Sequence, residues 1–436
     1  MSFEPPPGET RTKSKSKRRA AIPRLRLPVR LTNRTMGAWA KGALSLSPEE
    51  LLAQVGNRSG LSDYGAPDFR EPLGRLLEEP GRKGHFHLLG QYRLHHEVRR
   101  LLRTRLRLYD LIQRHPEIEN QTIEAPIFVI GLPGSGSNYI HQLLSQHPTL
   151  RSLPAWEARE PLPRTVAAEP DLDIRDRERR LGKNDYRRRL AIADAPYSHD
   201  YPSAARLGND EELMGIEFSS ILLEMKYESA SYRHWRMTQS QRPAYTMLRR
   251  LLQVLQWLRG GERWILHSSQ HIDQLEVLLR VFPDAQILHV HRDPYIVSYT
   301  TNLAAHRHHE LTRQGGDLAQ RNQLWLDRTE SRMRSCIRTR MSFPDLPVTD
   351  IRYEDYIANP IGVAEGCFYA AGEPMPTGLR DQMKDFHAKA PRGKDLKMNP
   401  KPAHLALHPG HVEQRLGFYR DFFAVGYELS DWPASN

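Results

Sequence analysis

Apolar positions change along the chain from helical spacing in the first third to short buried runs afterwards. Between residues 69 and 115, leucines recur at helical spacing among many arginines, which predicts helices with solvated basic faces. Ser47 is a good N-cap, and Pro48 suits the first position of a helix that continues through Leu51 and Leu52. The first third is therefore expected to be helical.

From Pro126 onward, apolar runs of strand length alternate with helix-like segments. The predicted strands are 127–130, 264–267, 286–290 and 348–353, and helices are expected over 270–281 and 295–304. Strands that alternate with helices indicate a parallel sheet with helices on both faces. The predicted fold class is α/β: a central parallel sheet flanked by helices, with an N-terminal helical extension.

Three segments are expected, and the first differs in charge from the rest. The net charge of +11 arises mostly in residues 1–34, where ten Lys and Arg oppose two Glu. We interpret 1–34 as a basic disordered arm that ends in an extended segment and contacts acidic surfaces loosely, not as a specific nucleic-acid-binding domain. Residues 35–122 form the helical extension, and 123–436 form the α/β domain.

Composition restricts the class of protein further. The apolar runs are too short to span a bilayer, and the N-terminus lacks the apolar stretch of a secretory signal. Cys336 and Cys367 are too few for a disulfide framework or a zinc site, so both are expected to be inert structural thiols. A cytoplasmic protein without a transmembrane segment is expected. Residues 160–235 are charged and weakly periodic, and we expect helices there that cover the site.

The segment Gly131-Leu-Pro-Gly134-Ser-Gly136-Ser-Asn138 follows the first buried run directly and precedes a helix-like segment. A strand, a glycine-rich loop and a helix start together form a cradle for an anion, because backbone N–H groups and the helix dipole face it. The loop carries no basic residue. Ser137 and Asn138 stand where a nucleoside-triphosphate loop has its Lys and its metal-binding hydroxyl, so ATP or GTP hydrolysis is disfavoured.

A second set of polar residues suits a second phosphate. Arg292 closes the run 286–290, and its guanidinium could bind a phosphate through two parallel hydrogen bonds. Thr300 lies two helical turns later, and Arg392-Gly393-Lys394 form a basic turn near the C-terminus. Taken singly, these motifs are also typical of a helix-start salt bridge and a surface loop.

Together the motifs resemble the 3′-phosphoadenosine-5′-phosphosulfate (PAPS)-dependent sulfotransferases, in particular the bacterial branch with an N-terminal helical region. The resemblance rests on the loop 131–138, His147-Pro148 with Trp156-Glu157, Trp264-Ile-Leu-His267-Ser-Ser-Gln-His271, Phe282 to Pro294, Ile351 to Asp355 and Arg392 to Lys394. It implies a P-loop NTPase-like α/β fold and transfer of a sulfuryl group from PAPS to a hydroxyl or amine, without a metal.

The resemblance also implies roles for individual residues. The loop residues Gly134, Ser135, Gly136, Ser137 and Asn138 would cradle the 5′-phosphosulfate, and the 3′-phosphate would be held by Arg292, Thr300, Arg392, Gly393 and Lys394. Glu157 matches by position a carboxylate used as the base in related enzymes. His271 is the second candidate for that base, although a His beside apolar residues is more often packed.

The chain departs from the family at its cations. Gly134 replaces the loop Arg, and His267 replaces a Lys at a strand end, where it supplies charge if protonated. Arg151, Arg159 or the cluster 306–309, itself expected to be a solvated loop, are possible replacements. Three interpretations stay open: an active sulfotransferase, a degenerate homologue that binds a nucleotide or an acceptor without transfer, and, less favoured, a kinase.

Overall fold

The computed structural model describes residues 24–36, 44–80, 86–163, 170–193, 207–313, 315–389, 405 and 407–428. Its strands are β1 (Arg24–Leu25), β2 (Ile127–Gly131), β3 (Leu150–Ser152), β4 (Ile192–Ala193), β5 (Arg263–His267), β6 (Gln286–His291) and β7 (Val348–Arg352).

Helices account for most of the rest. They are α1 (Leu27–Met36), α2 (Pro48–Ser59), α3 (Arg70–Glu78), α4 (Leu88–Arg114), α5 (Ser137–Leu144), α6 (Ala155–Arg159), α7 (Pro170–Ala191), α8 (Glu211–Met214), α9 (Ile221–Tyr227), α10 (Ala230–Thr238), α11 (Arg242–Arg259), α12 (Leu275–Val281), α13 (Pro294–Glu310), α14 (Leu318–Ser342), α15 (Tyr353–Ala358), α16 (Pro360–Ala370), α17 (Leu379–Lys389) and α18 (Pro409–Phe423). Short 3₁₀ turns cover Pro67–Phe69, Pro116–Asn120, Gly215–Glu217 and Gln270–Asp273.

The central sheet has five strands in the order β3–β5–β2–β6–β7, and every pairing is parallel. Strand β2 is the middle strand, and Ile127 pairs with Ile265 on one side and with Gln286 on the other. Its five residues are all buried, which matches a strand covered by helices on both faces. The predicted α/β class with a central parallel sheet is confirmed.

Side chains alternate between two cores along β2. Phe128 and Ile130 pack with Leu94 and Leu101 of α4, so the N-terminal helices share one hydrophobic core with the sheet. On the other face, Val129 packs with residues of α5 and α16. The helical extension therefore covers one face of the sheet and does not form a separate core.

Several boundaries differ from those expected. Arg24–Met36 contains strand β1, paired with β4, and helix α1, where an extended segment was expected. The helix expected over 270–281 is divided at Gln274 into a 3₁₀ turn and α12. Helix α13 continues to Glu310, six residues beyond its predicted end at Ala304. Residues 1–23 of the basic arm lie outside the described part of the chain.

The two cysteines and the absence of a membrane-spanning run were also predicted from the sequence. Cys336 and Cys367 are both buried and form no disulfide, and burial raises the pKa of each thiol to about 12. Among the described residues, no helix combines the length and the apolar composition that crossing a bilayer requires.

A buried ion-pair network joins α9, α10 and α14 to the 3₁₀ turn that follows β5. Glu224 accepts from Arg236 and Arg328, and Asp273 accepts from Arg328 and Arg332. Burial alone would raise the pKa of Asp273, but the nearby arginines outweigh it and lower this pKa to about 2. Removing one partner from such a network leaves buried charges unpaired.

This network predicts an acid-sensitive contribution to stability. Because the pKa of Asp273 is lowered to about 2 from 3.8, its stabilisation is complete above pH 3.8 and is lost as the pH falls toward 2. We expect Asp273→Asn to lower the free energy of unfolding by about 3 kcal/mol at pH 7, and by less at pH 3. Urea unfolding at both pH values measures this. Equal losses at the two pH values would contradict the assignment.

Candidate active site

The glycine loop lies at the carboxyl edge of the sheet, between the end of β2 and the first residue of α5. Gly134 and Gly136 have φ values of +89° and +95°, a region that residues with a side chain rarely adopt. A Cβ built on Gly134 would lie 2.5 Å from Oγ1 of Thr300, and one on Gly136 would overlap the hydroxyl of Tyr356. The loop backbone is thus packed tightly where no side chain fits.

The loop is also held by hydrogen bonds. Ser135 donates its backbone N–H to the carbonyl of Leu132, and Tyr356 donates its hydroxyl to the carbonyl of Ser135. Helix α5 then begins at Ser137, whose backbone N–H donates to Oγ of Ser135 at 3.4 Å, and Tyr139 donates its N–H to the carbonyl of Gly136. The structure therefore forms the strand–loop–helix cradle that suits an anion.

His267 lies beside this cradle at the end of β5. Its Nε2 is 2.9 Å from Oγ of Ser137, and its Nδ1 is 2.9 Å from Oδ1 of Asn209. Burial, with His141 and His271 nearby, holds the pKa of His267 well below its usual value. This lowered pKa favours the neutral imidazole, so the protonation on which a positive charge at His267 depends is disfavoured.

Arg292 and Thr300 flank the other side of the loop. Arg292 donates from Nη1 to the carbonyl of Gly134 at 2.8 Å, and its guanidinium lies 3.8 Å from the ring centre of Tyr353. Its Nε and Nη2 donate to the two carboxylate oxygens of Glu428 at 2.7 and 2.8 Å. Thr300 contacts the loop at Gly134. The structure thus brings Gly134, Arg292 and Thr300 together.

Comparisons with known proteins agree with this geometry. A model of the sulfotransferase family matches residues 126–377, which is more than half of the chain. The chain belongs to the sulfotransferase family. No sequence among curated proteins matches it significantly.

Two solved structures share the sulfotransferase fold with the chain. Sulfotransferase STF9 from Mycobacterium avium is 24% identical, with a TM-score of 0.75 over 87% of this chain and 97% of that one. Sulfotransferase STF1 from Mycobacterium tuberculosis H37Rv is 23% identical, with a TM-score of 0.72 over 86% of this chain and 99% of that one. Each alignment covers more of this chain than the residues 126–377 that the family model matches.

Glu157, the first candidate for the sulfotransferase base, is buried in a pair of salt bridges. It is buried, and its Oε1 accepts from Arg151 at 3.3 Å and from Arg259 at 3.0 Å. Arg151 also donates to the carbonyls of Leu255 and Gly260, which precede β5, whereas the loop lies where β2 ends. The carboxylate of Glu157 is therefore held in ion pairs with two arginines.

His271, the second candidate, is fully buried in the core. Its Nε2 is 3.1 Å from Oδ2 of Asp210, its Nδ1 is 2.8 Å from the hydroxyl of Tyr245, and Phe128 packs edge-on against its ring. Both ring nitrogens thus have partners within the core, in agreement with a packed histidine.

The replacement cations are also paired. Arg151 binds Glu157, and Arg159 binds Glu97 and Glu212 in a buried cluster. Residues 306–309 were expected to be a solvated loop, but they form the last buried turns of α13, where burial lowers the pKa of His306 to about 4. That expectation is wrong, because α13 extends beneath the β1–β4 pair.

Arg392, Gly393 and Lys394 lie outside the described residues.

One group of potential metal ligands lies elsewhere in the sheet. His289 and His291 of β6 and Asp350 of β7 place ligand atoms within 4.8 Å of one another. Arg340 already binds both carboxylate oxygens of Asp350, and His291 Nε2 lies 2.8 Å from one of them. This group is an ion-pair and hydrogen-bond network around Asp350.

Three residues of the site escaped the sequence motifs. Asn209 lies in the weakly periodic region 160–235, and Glu428 lies near the C-terminus, so only the folded chain brings them to His267 and Arg292. Tyr356 could have been identified from the sequence, because it follows the predicted strand 348–353 at the same edge of the sheet. Parallel strand order would have placed it at the same edge of the sheet as the loop, with β6 between β7 and β2.

The packing of Gly134 predicts a cost for any side chain there. We expect Gly134→Ala to lower the free energy of unfolding by about 1–3 kcal/mol, because φ is positive and Thr300 occupies the space. Gly74→Ala is the matched control: Gly74 lies within α3 with open space around it, so this change should stabilise by about 0.5–1 kcal/mol. Urea midpoints measure both, and an unchanged midpoint for Gly134→Ala would contradict the packing argument.

Proposed function

We propose that the chain transfers a sulfuryl group from PAPS to a hydroxyl or amine of a small-molecule or glycan acceptor. One observation carries the proposal: a glycine loop of positive φ lies at the carboxyl edge of the parallel sheet with Arg292 bound to its Gly134 carbonyl. The loop suits the phosphosulfate. Arg292 lies next to the loop, where its guanidinium could bind a second phosphate of the same nucleotide.

Site roles in this proposal follow the family. Gly134, Ser135, Gly136, Ser137 and Asn138 hold the phosphosulfate, while Arg292 and Thr300 hold the 3′-phosphate. Arg392, Gly393 and Lys394 are proposed to join them. The reaction needs positioning and charge stabilisation, and the family implies no metal. A cytoplasmic location and loose contact of the basic arm with acidic surfaces complete the proposal.

A second candidate is a degenerate sulfotransferase that binds the nucleotide without transfer. It is favoured by the absence of a fixed charge at the two positions where the family has cations: Gly134 carries no side chain, and burial holds the pKa of His267 well below its usual value. Removing one oxyanion-stabilising donor typically costs about 3–4 kcal/mol of transition-state stabilisation. The two candidates share nucleotide binding and differ only in turnover.

Calorimetry with adenosine 3′,5′-bisphosphate tests the shared step. We expect binding, and no heat of binding would contradict both candidates. A screen for labelled-sulfate transfer to phenols, alcohols, amines and glycans then separates them. Turnover with any acceptor supports the enzyme, whereas binding without turnover across all of these acceptors supports the degenerate homologue.

The ion pair between Arg292 and Glu428 predicts opposite effects of two substitutions. We expect Arg292→Ala to weaken the bisphosphate about ten- to a hundredfold, because it removes charge-assisted bonds to the 3′-phosphate. Glu428→Gln should tighten the bisphosphate severalfold, because the carboxylate occupies the same two guanidinium nitrogens. Calorimetry measures both.

The controls isolate the 3′-phosphate. Adenosine 5′-phosphate lacks that group, so its affinity should change little in either variant. Arg352→Ala removes an exposed arginine at the end of the neighbouring strand β7 and should leave both affinities unchanged. Equal loss of both nucleotides in Arg292→Ala would count against the assigned role.

A further inference from the structure

Two pairs of exposed apolar side chains lie on the helices that flank the β1–β4 pair. Leu27 and Leu31 are one turn apart on α1, and they are 65% and 52% exposed. Tyr186 and Leu190 are one turn apart on α7, and they are 63% and 48% exposed. A single exposed apolar side chain is ordinary, but neighbouring pairs on two helices indicate a surface that binds a partner.

The two helices meet at these residues. Strand β1 pairs antiparallel with β4, and Arg26 donates its backbone N–H to the carbonyl of Ala191 at 2.9 Å. Leu27 directly follows Arg26, and Leu190 directly precedes Ala191, so each leucine is one residue away from this hydrogen bond. The start of α1 and the end of α7 therefore lie side by side.

Helix α1 is attached to the protein through its opposite side. Val29 packs against the small buried cluster of Leu25 and Leu311. Asn33, one turn later, accepts the backbone N–H of Leu89 through Oδ1 at 3.1 Å. Successive residues of a helix are rotated by about 100°, so the two leucines of α1 point away from this attachment. The helix is thus fixed in place with its apolar side outward.

The exposed side of α1 is also basic. The helix contains no Asp or Glu, and its exposed Arg30 and Arg34 form no ion pair with a described residue. On α7, Arg187 is exposed next to Tyr186. Residues 1–34 hold ten Lys and Arg against two Glu, so the chain that leads into α1 adds positive charge. Apolar side chains flanked by cations are typical of a helix that lies in the interface of a membrane.

Charge and apolar character together select the partner of this surface. In a symmetric dimer, a second copy of the chain would place arginines against arginines, which is repulsive. Nucleic acid would match the cations, but its phosphates gain nothing from exposed leucines. A bilayer with anionic lipids matches both features, because its phosphates attract the cations and the boundary of its acyl chains accommodates the apolar side chains.

We propose that this surface, the N-terminal face, docks the protein on membranes that contain anionic phospholipids. The face consists of Leu27, Arg30, Leu31, Arg34, Tyr186, Arg187 and Leu190. Its four apolar side chains insert between the headgroups and the acyl chains, while its arginines bind lipid phosphates. The Lys and Arg that precede α1 strengthen the attraction. The proposal extends the contact of the basic arm with acidic surfaces, and it does not depend on sulfuryl transfer.

Sedimentation of the full-length protein with vesicles tests the docking. We expect it to bind vesicles of phosphatidylcholine and phosphatidylglycerol in equal parts, and to bind phosphatidylcholine alone at least about tenfold more weakly. Raising NaCl from about 0.1 M to about 1 M should release most of the protein, because salt screens the charges. Equal binding to both kinds of vesicle, or binding to neither, would overturn the proposal.

Two double substitutions separate the apolar contribution from the charged one. We expect Leu27→Ser with Leu31→Ser to weaken binding to the anionic vesicles about tenfold or more, because two inserted side chains are lost. Arg30→Glu with Arg34→Glu should weaken it about a hundredfold, because each cation becomes a repelled anion. All four side chains are exposed, so the urea midpoints should stay close to wild type.

The matched controls lie elsewhere on the surface. Met341→Ser with Tyr369→Ser replaces two exposed apolar residues at the ends of α14 and α16. Arg280→Glu with Arg380→Glu changes the net charge as much as the arginine pair on α1 does. Both controls should bind vesicles like wild type. Equal losses in the controls, or undiminished binding after the leucine substitutions, would mean that the N-terminal face is not the docking surface.

A fluorophore on the face reports insertion directly. Cys336 and Cys367 are buried, and burial raises the pKa of each thiol to about 12, so a thiol introduced by Leu31→Cys is labelled selectively. We expect a nitrobenzoxadiazole label there to shift its emission to the blue when anionic vesicles are added. The same label introduced by Tyr369→Cys, at the most exposed large apolar residue described, should show no shift.

The same label distinguishes the other partners. A blue shift without vesicles that grows with protein concentration would assign the face to a second copy of the chain. A shift with RNA but not with vesicles would assign it to nucleic acid, and either result would overturn the proposal. Bisphosphate calorimetry is a separate measurement, so failure of membrane docking and failure of the proposed transferase function are distinguishable.

Discussion

The pairing register of β2 is the constraint on which the rest of the site depends. This strand lies between β5 and β6, and its parallel pairing aligns the ends of all three strands at one edge. The glycine loop and Arg292 directly continue β2 and β6, and His267 is the last residue of β5. A shift of one residue would turn the buried side chains of β2 to the opposite faces and move the loop away from His267. Hydrophobic burial thus sets the distances within a polar site.

The loop itself depends on close packing from both sides. Thr300 of α13 fills the space over Gly134, and Tyr356 of α15 fills the space over Gly136. These helices follow β6 and β7, so the same register that aligns the strands also places the two side chains. The conformation of the loop backbone is therefore fixed by the residues that surround it before any anion binds. Such preorganisation lowers the reorganisation that binding requires.

Sequence reasoning succeeded where residues adjacent in the chain stay adjacent in space. Four strands of the central sheet, the glycine loop and the Asp-Pro start of α13 were predictable, because each rests on local pattern and local chemistry, whereas the three-residue strand β3 was missed. The electrostatics of the site was not predictable from the sequence. The pKa of His267 depends on burial beside His141 and His271. The ion pair of Glu157 depends on Arg259, about a hundred residues away in the chain. Asn209 and Glu428 reach the site from segments without periodicity, so no motif marks them.

Thr300 and Gly134 have a consequence for how this site could have diverged. An arginine at position 134 needs room that Thr300 occupies and a backbone conformation that only glycine adopts readily. Gly134→Arg alone is therefore strained, and a smaller residue at position 300 alone leaves the loop underpacked. The two positions are energetically coupled, so the effects of substituting them do not add.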